Sequence, residues 1–270
     1  MEVFAKDFIM GEFNISDYGL ILSSFSYGGE SEDELGMKVS PIEEFVGHHP
    51  VPVYLGHKYE DKLCLQVTLT KNPCIWNNNM YFTEKECRSI LRVITGHKSY
   101  QWTKIASYNF DEDLWYRTKV INVSYQRING HVAGIILNLE CDSQFAWSQE
   151  NNIIIRATAN QPFFVFNNTD DLHNYVFPIV TITSSTSGTI EIINQTDNNW
   201  ATELNNVASN EVITMNSKTG ILSSSTQRSL LLDNFNLGWI RLVPNKNVFV
   251  SNKNITITFK YRVPRKVGVV

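Results

Sequence analysis

Hydrophobic and polar residues alternate most clearly between residues 115 and 141, where they predict a long β-hairpin. Asn129 and Gly130 lie between the two arms and suit the positive φ angles of a two-residue turn. In the second arm the apolar positions are Ala133, Ile135, Leu137, Leu139 and Cys141. Asn138 and Glu140 alternate with them, so we expect one buried and one solvated face.

A period of three to four residues predicts one α-helix over residues 83–95. Thr83 and Glu86 have the spacing of a capping box, and Gly96 follows as a stop signal. The apolar positions are Cys87, Ile90, Leu91 and Ile94. This stripe indicates one face turned towards a core, and the charged opposite face is ordinary for a solvated helix.

The rest of the N-terminal half predicts shorter elements. Residues 63–70 alternate as a strand, and residues 13–24 form a turn-bounded strand around Tyr18 and Gly19. Residues 26–52 contain paired glycines, an acidic cluster and a His-His-Pro turn, which predict a long loop outside the sheet. We expect this loop to reach a neighbouring subunit.

After Ser148 the pattern changes to short strands separated by turns rich in Asn, Ser, Asp and Gly. The predicted strands are residues 153–157, 163–166, 176–183, 189–193, 211–215, 239–243 and 255–261. Regular short strands without helices predict a β-sandwich or jelly roll. We therefore expect a mainly β protein with two domains joined by a hinge at residues 145–147. Residues 1–148 form a β-sandwich or barrel-like domain with one α-helix, and residues 149–270 form the second β-sandwich.

Composition excludes several functions. With 270 residues, 43% of them hydrophobic, the chain is long enough for two cores. A net charge of −4 gives no basic surface for nucleic acid. No apolar run is long enough to span a membrane, and the N-terminus has Glu2 and Asp7 rather than a signal peptide.

The sequence offers no catalytic, cofactor or metal motif. The four cysteines are irregularly spaced, and we expect Cys87 and Cys141 to be buried reduced thiols in a protein that folds inside a cell. His48, His49 and His57 lie close in sequence but lack a defined carboxylate partner, so we interpret them as loop residues rather than metal ligands. Nucleophile elbows, phosphate loops and dinucleotide fingerprints are missing.

Sugar binding is the main alternative from another functional class. A β-sandwich can form a lectin site, and Trp200 or Trp239 could stack on a sugar ring. Trp239 lies in an apolar segment and is expected in the core. Trp200 follows an Asn-rich turn and is the candidate for an exposed aromatic platform.

A series of structural motifs resembles the distal tail protein (Dit) family of long-tailed phages and related prophages. In chain order these motifs are Phe13-Asn14 with residues 16–20, residues 115–120, residues 140–143 with Ala146-Trp147, residues 177–182, residues 211–215 and residues 245–248. They follow one another over most of the chain. Two departures are the acidic, His-containing segment before the helix and Gln144, where a proline is common in the family.

The resemblance implies a structural protein of the virion that is not an enzyme and has no cofactor. An N-terminal domain forms a homo-hexameric ring on the tail tube, and a galectin-like C-terminal sandwich projects outward. The implied partners are the tail tube protein, a tail-associated lysin or tail fibre protein and receptor-binding proteins. Such a protein assembles in the host cytoplasm and resides in the baseplate at the phage tail tip, where it serves host attachment. A tail-tube protein and a tail-tip hydrolase are the remaining alternatives.

Overall fold

The computed structural model describes residues 5, 7–23, 39–48, 50–59, 62–77, 79–106, 114–226 and 231–266. Over these residues the chain is mainly β-structure, which confirms the predicted fold class. It divides into two compact units, Met1–Trp147 with Lys266–Val270, and Ser148–Arg265. Each unit has its own hydrophobic core.

The first unit is built around one antiparallel sheet. Its strands are β1 (Asp7–Met10), β2 (Phe13–Asn14), β3 (Leu20–Leu22), β4 (Val39–Glu44), β5 (Val53–Tyr59), β6 (Cys64–Lys71), β7 (Gln101–Ala106), β8 (Leu114–Ile128), β9 (His131–Cys141) and β10 (Ala146–Trp147). The order across the main sheet is β2-β1-β7-β8-β9-β6-β3, and β10 pairs with β8. Strands β4 and β5 form a separate two-stranded sheet.

Strands β8 and β9 form the hairpin that the sequence predicts. Asn129 and Gly130 have φ angles of 48° and 80°, as a tight turn with two positive-φ residues requires. The five apolar positions of β9 are all buried, whereas Asn138 and Glu140 are only half-buried. The predicted division into a buried and a solvated face is therefore confirmed.

A β-bulge shifts the alternation of β8. Val120 pairs with Leu139 and Asn122 pairs with Asn138, so Ile121 is an inserted residue without a counterpart. Because an extra residue moves later side chains to the other face, Val123 joins the core side.

Two helices accompany this sheet, α1 (Pro73–Trp76) and α2 (Glu84–Thr95). The capping box of α2 is present: the Glu86 amide donates to Thr83 Oγ1 at 3.3 Å, and the Thr83 amide donates to Glu86 Oε2 at 2.7 Å. The predicted stripe faces the core, with Cys87, Ile90 and Ile94 buried. The short helix α1 was not predicted.

Two other predictions for this unit need correction. The predicted strand at residues 13–24 is divided by a 3-10 turn at Ile15–Tyr18, which ends at Gly19 with a φ of 62°. The predicted loop at residues 26–52 contains strand β4, and this strand lies outside the main sheet, as expected for that segment. Residues 26–38 and His49 are outside the described residues.

A buried lysine joins three elements of the first unit. The Lys71 side chain at the end of β6 is only 1% exposed. Its Nζ lies 2.8 Å from Glu86 Oε1 on α2 and 4.2 Å from the ring centroid of Trp76 on α1. The ion pair and the aromatic ring together compensate the buried charge.

The second unit is a sandwich of two antiparallel sheets. Its strands are β11 (Asn151–Ala157), β12 (Pro162–Asn167), β13 (Ile179–Ser184), β14 (Gly188–Asn194), β15 (Trp200–Val207), β16 (Val212–Asn216), β17 (Ile221–Ser224), β18 (Asn245–Ser251) and β19 (Ile255–Tyr261). The short strand β20 (Pro264–Arg265) belongs to neither sheet of the sandwich. One sheet has the order β11-β19-β13-β16-β17, and the other has the order β12-β18-β14-β15. Alternate side chains of both sheets form the core.

Some of the predicted strands of this unit agree with the structure and others are displaced. The strand at residues 255–261 coincides with β19, and those at residues 153–157, 163–166 and 189–193 lie within β11, β12 and β14. The predictions at residues 176–183 and 211–215 are displaced by one to three residues from β13 and β16. Strands β15, β17 and β18 were not predicted.

The strand predicted at residues 239–243 is wrong, because asparagine side chains replace a strand partner there. Only Leu242 forms a bridge, with Val176. Asn247 accepts from the Val243 amide at 2.9 Å and donates to the Val243 carbonyl at 2.9 Å. Asn167 donates to the Leu242 and Val243 carbonyls at 3.2 and 3.1 Å. Apolar alternation is thus present, but the backbone groups bind side chains instead of a ladder.

Candidate interaction surfaces

The ribbon of β4 and β5 is the most exposed apolar feature of the first unit. Its exposed large apolar side chains are Ile42, Phe45, Val46, Val51, Val53, Tyr54 and Leu55. Phe45 is 71% exposed, Val51 70% and Leu55 59%. Consecutive residues of both strands are exposed, so both faces of the ribbon meet solvent.

An isolated two-stranded ribbon is at best marginally stable in water, since it buries little apolar surface. A cluster of seven exposed apolar side chains also exceeds the scattered exposure that is normal for a surface. These two properties are typical of an element that is covered by another protein surface after assembly. The ribbon overlaps the segment for which the sequence predicts contact with a neighbouring subunit.

The tip of the β8–β9 hairpin is a second exposed surface of this unit. Ile121, Tyr125 and Ile128 are exposed large side chains along β8. Burial raises the pKa of the Tyr125 hydroxyl, and its interaction with the Cys87 thiol of α2 raises it further, so the two side chains are neighbours. The outer part of β8 therefore exposes large side chains next to helix α2.

The buried thiols of the first unit are poor nucleophiles. Cys87 and Cys141 are buried, as predicted, whereas Cys64 and Cys74 are exposed. Burial raises the pKa of the Cys141 thiol far above its usual range, and nearby acidic groups raise it further. Burial also raises the pKa of Cys87. Since the thiolate is the reactive form, both side chains act as small apolar residues.

The carboxyl groups of Glu86 and Glu140 are held in the charged form. Hydrogen bonds from Tyr100 and Lys62 lower the pKa of Glu140, whose Oε1 lies 2.5 Å from Tyr100 Oη and 2.9 Å from Lys62 Nζ. Burial raises the pKa of Glu86, but hydrogen bonds from Lys71 and Thr83 outweigh it and the net pKa is lowered. A general acid needs a raised pKa, so neither group is suited to that role.

Other side chains surround Trp200, the residue for which the sequence allows a sugar-stacking role. Trp200 begins β15 and is half-buried, and its indole N–H donates to the Trp239 carbonyl at 3.0 Å. The Arg241 guanidinium lies 3.9 Å from the Trp200 ring centroid and 4.2 Å from that of Tyr175. Asp197 fixes Arg241, with its Oδ2 2.6 Å from Nε. Arg241 thus stacks on the ring that a sugar would use.

The outer face of the sheet formed by β12, β18, β14 and β15 has an apolar row. Neighbouring residues in this row, one from each strand, are Pro162, Val250, Ile193 and Ala201. Phe164 and Phe166 extend it on β12 and are exposed. Lys246 Nζ lies 3.9 Å from the Phe164 ring centroid, so a positive charge borders the apolar surface.

The histidine segment gives no metal site within the part of the chain that the structure describes. His48 is exposed in the turn of the ribbon, the backbone of His57 belongs to β5, and His49 lies outside the described residues. Among the described residues, no three His, Cys, Asp or Glu side chains are grouped as metal ligands. No described helix has the length and apolarity to cross a membrane.

Two solved structures that resemble this chain are a phage adsorption-hub protein and a phage baseplate chain. The chain superposes on the SPP1 Dit protein, described as a paradigm of the hub adsorption apparatus in phages infecting Gram-positive bacteria, with a TM-score of 0.63 and 13% identity. This match covers 95% of our chain and 98% of SPP1 Dit. A chain of the phage p2 baseplate in its activated conformation with Sr gives a TM-score of 0.53 at 9% identity, covering 98% and 99%.

Family models agree with the structural matches. A model described as phage tail protein N-terminal domain matches residues 4–143, and one described as phage tail C-terminal domain matches residues 145–261. A comparison with curated protein sequences gave no match. Because the N-terminal model alone covers more than half of its length, this chain belongs to the phage tail protein family that the two models define.

Proposed function

We propose that this chain is the hub of a phage tail tip, where six copies form a ring. The ring joins the tail tube to a tail-associated lysin or tail fibre and to receptor-binding proteins. Membership of a phage tail family and the fold shared with SPP1 Dit support this role. The observation that favours an assembling protein most directly is the solvent-exposed apolar ribbon of β4 and β5.

A closed ring constrains the surface of each subunit. Neighbours in a ring meet through two different faces, and a stable interface buries more than about 1,000 Å² in total. The ribbon supplies an apolar face that the main sheet does not cover. In this proposal it packs on the next subunit, and residues 1–148 build the ring.

The C-terminal domain, residues 149–270, has the outward position in this proposal. Its two-sheet sandwich supports the expectation of a galectin-like domain that the family resemblance implies. The apolar row on its four-stranded sheet is suitable for a protein partner, since interface cores are depleted of charge. We assign the chain a structural role without enzymatic activity, in a virion assembled in the host cytoplasm.

The oligomeric state of matched variants tests the proposal. Leu55 on β5 and Ile154 on β11 are both exposed strand residues, at 59% and 66%. We expect the wild-type protein and Ile154→Asp to form six-membered rings in native mass spectrometry and negative-stain images. Leu55→Asp should yield smaller species with an unchanged melting temperature, because a buried charge at the subunit contact is costly.

Two outcomes would contradict parts of the proposal. A wild-type protein that stays monomeric and cannot be immuno-labelled at tail tips would exclude the hub role. Rings formed equally well by Leu55→Asp would show that the ribbon is not the contact. A glycan array tests the sugar-binding alternative, for which saturable binding lost in Trp200→Ala would be required.

A further inference from the structure

We propose that Asn129, at the tip of the β8–β9 hairpin, is a site of spontaneous deamidation. The inference is independent of the ring. Asn129-Gly130 is the one place in the sequence where glycine follows asparagine. Asparagine is a thermolabile residue, and its side-chain amide is attacked most easily when the next residue has no side chain to obstruct the approach.

The reaction needs only water. The Gly130 amide nitrogen attacks Cγ of Asn129 and a bond forms between these two atoms, while the amide proton passes to water. Water returns a proton to Nδ2, the bond from Cγ to Nδ2 breaks, and ammonia leaves. Water then opens the succinimide ring. Attack at Cγ gives aspartate, whereas attack at the main-chain carbonyl gives isoaspartate, in which the chain continues through Cγ.

The structure leaves this dipeptide accessible. Both residues are exposed, and a Cβ built on Gly130 would have no neighbouring atom within 4 Å. The side-chain side of Gly130 is therefore open. Arg127 Nη1 donates to the Gly130 carbonyl at 2.9 Å. This contact does not involve the Gly130 amide nitrogen.

The chain has internal comparisons for Asn129. Seven other described asparagines are exposed and have positive φ angles, and Asn160, Asn210 and Asn245 serve as the comparisons. Each precedes a residue with a side chain. In two cases the following amide is also engaged, because Gln161 donates to the Thr158 carbonyl and Glu211 donates to the Ala208 carbonyl.

The two products differ in their effect on the hairpin. Asp-Gly suits the same turn as Asn-Gly, so aspartate adds a negative charge without changing the fold. Isoaspartate adds a backbone atom to a two-residue turn, which disturbs the pairing of Ile128 with His131. Ageing would thus alter both the charge and the geometry of a tip that exposes Tyr125 and Ile128.

Peptide mapping of the full-length protein tests this inference. After incubation in mildly alkaline buffer, mass spectrometry should show Asn129 deamidated several-fold faster than Asn160, Asn210 and Asn245. Asn129→Gly removes the reactive amide and keeps a turn sequence that accepts positive φ. We expect this variant to lack the acidic species that ion exchange resolves in aged wild-type protein.

Either of two results would overturn the inference. One is an Asn129 peptide that stays amidated to the same extent as the three comparison peptides. The other is an acidic species that accumulates equally in the wild type and in Asn129→Gly. Neither result bears on ring formation, which is measured separately on fresh protein.

Discussion

Single side chains with several partners connect the secondary-structure elements of the first unit. Glu86 accepts hydrogen bonds from Thr83, the N-cap residue of helix α2, and from Lys71, the last residue of strand β6. The capping box was predictable from the sequence, because its two residues have a fixed spacing. The contact with Lys71 was not, since fifteen residues separate the partners and the sequence gives no pairing signal for them.

Removal of the Glu86 carboxylate should lower the unfolding free energy far more than removal of the Glu84 carboxylate. Glu86→Ala breaks the cap and leaves Lys71 a buried unpaired charge, so we expect a loss of about 3 kcal/mol in unfolding free energy. Glu84→Ala is the matched control, because this residue is fully solvated and its ion pair with Arg88 is long at 4.0 Å. It should change stability by less than about 0.5 kcal/mol in urea unfolding.

The loss of unfolding free energy in Glu86→Ala should also depend on pH. The pKa of Glu86 is lower in the folded than in the unfolded protein, because its hydrogen bonds favour the charged form. Its stabilisation is therefore complete above the unfolded pKa and disappears as pH falls through the folded pKa. A difference between wild type and Glu86→Ala that stays constant into strong acid would contradict this account.

Elements were predicted well where local pattern and tertiary role agree. The α2 stripe and the β9 alternation both face a core in the structure. Strand β15 was missed because Asn205 and Asn206 are poor strand formers, yet the strand is held by β14. The segment at residues 239–243 is the opposite case: its sequence has a strand pattern, but the segment does not pair as a strand. Its backbone instead bonds the Asn247 side chain.

Asn247 should be essential to this segment of the second unit. Asn247 is fully buried and bonds both the amide and the carbonyl of Val243. Asn167 also donates to that carbonyl, so Asn247→Ala leaves the Val243 amide without its acceptor. We expect a loss of about 2–4 kcal/mol in unfolding free energy. The exposed Asn152→Ala on β11 is the control and should change stability by less than about 0.5 kcal/mol. Equal effects in thermal unfolding would refute the bridging role.

At the scale of the whole molecule, the candidate surfaces were harder to predict than the fold. The sequence indicated a long excursion before the helix, but not that part of it forms a two-stranded ribbon exposed on both faces. Its β4 sequence Val-Ser-Pro-Ile-Glu-Glu lacks clear alternation, because neither face has a core to satisfy. The surroundings of Trp200 were equally hard to predict, since Arg241, which lies over its ring, comes from a distant segment of the chain.

Two separate cores predict that the second unit folds alone. The buried residues of its cluster run from Ala157 to Val263 and include none from the first unit. We expect a fragment of residues 148–265 to unfold cooperatively in denaturant, followed by circular dichroism, and Ile182→Asp to abolish this transition by burying a charge. The fragment lacks the β4–β5 ribbon, so it should remain monomeric at concentrations where the full chain forms rings. A fragment that oligomerises as the full chain does would transfer the assembly contact to the second unit, and the apolar row on its four-stranded sheet would then be the surface to mutate.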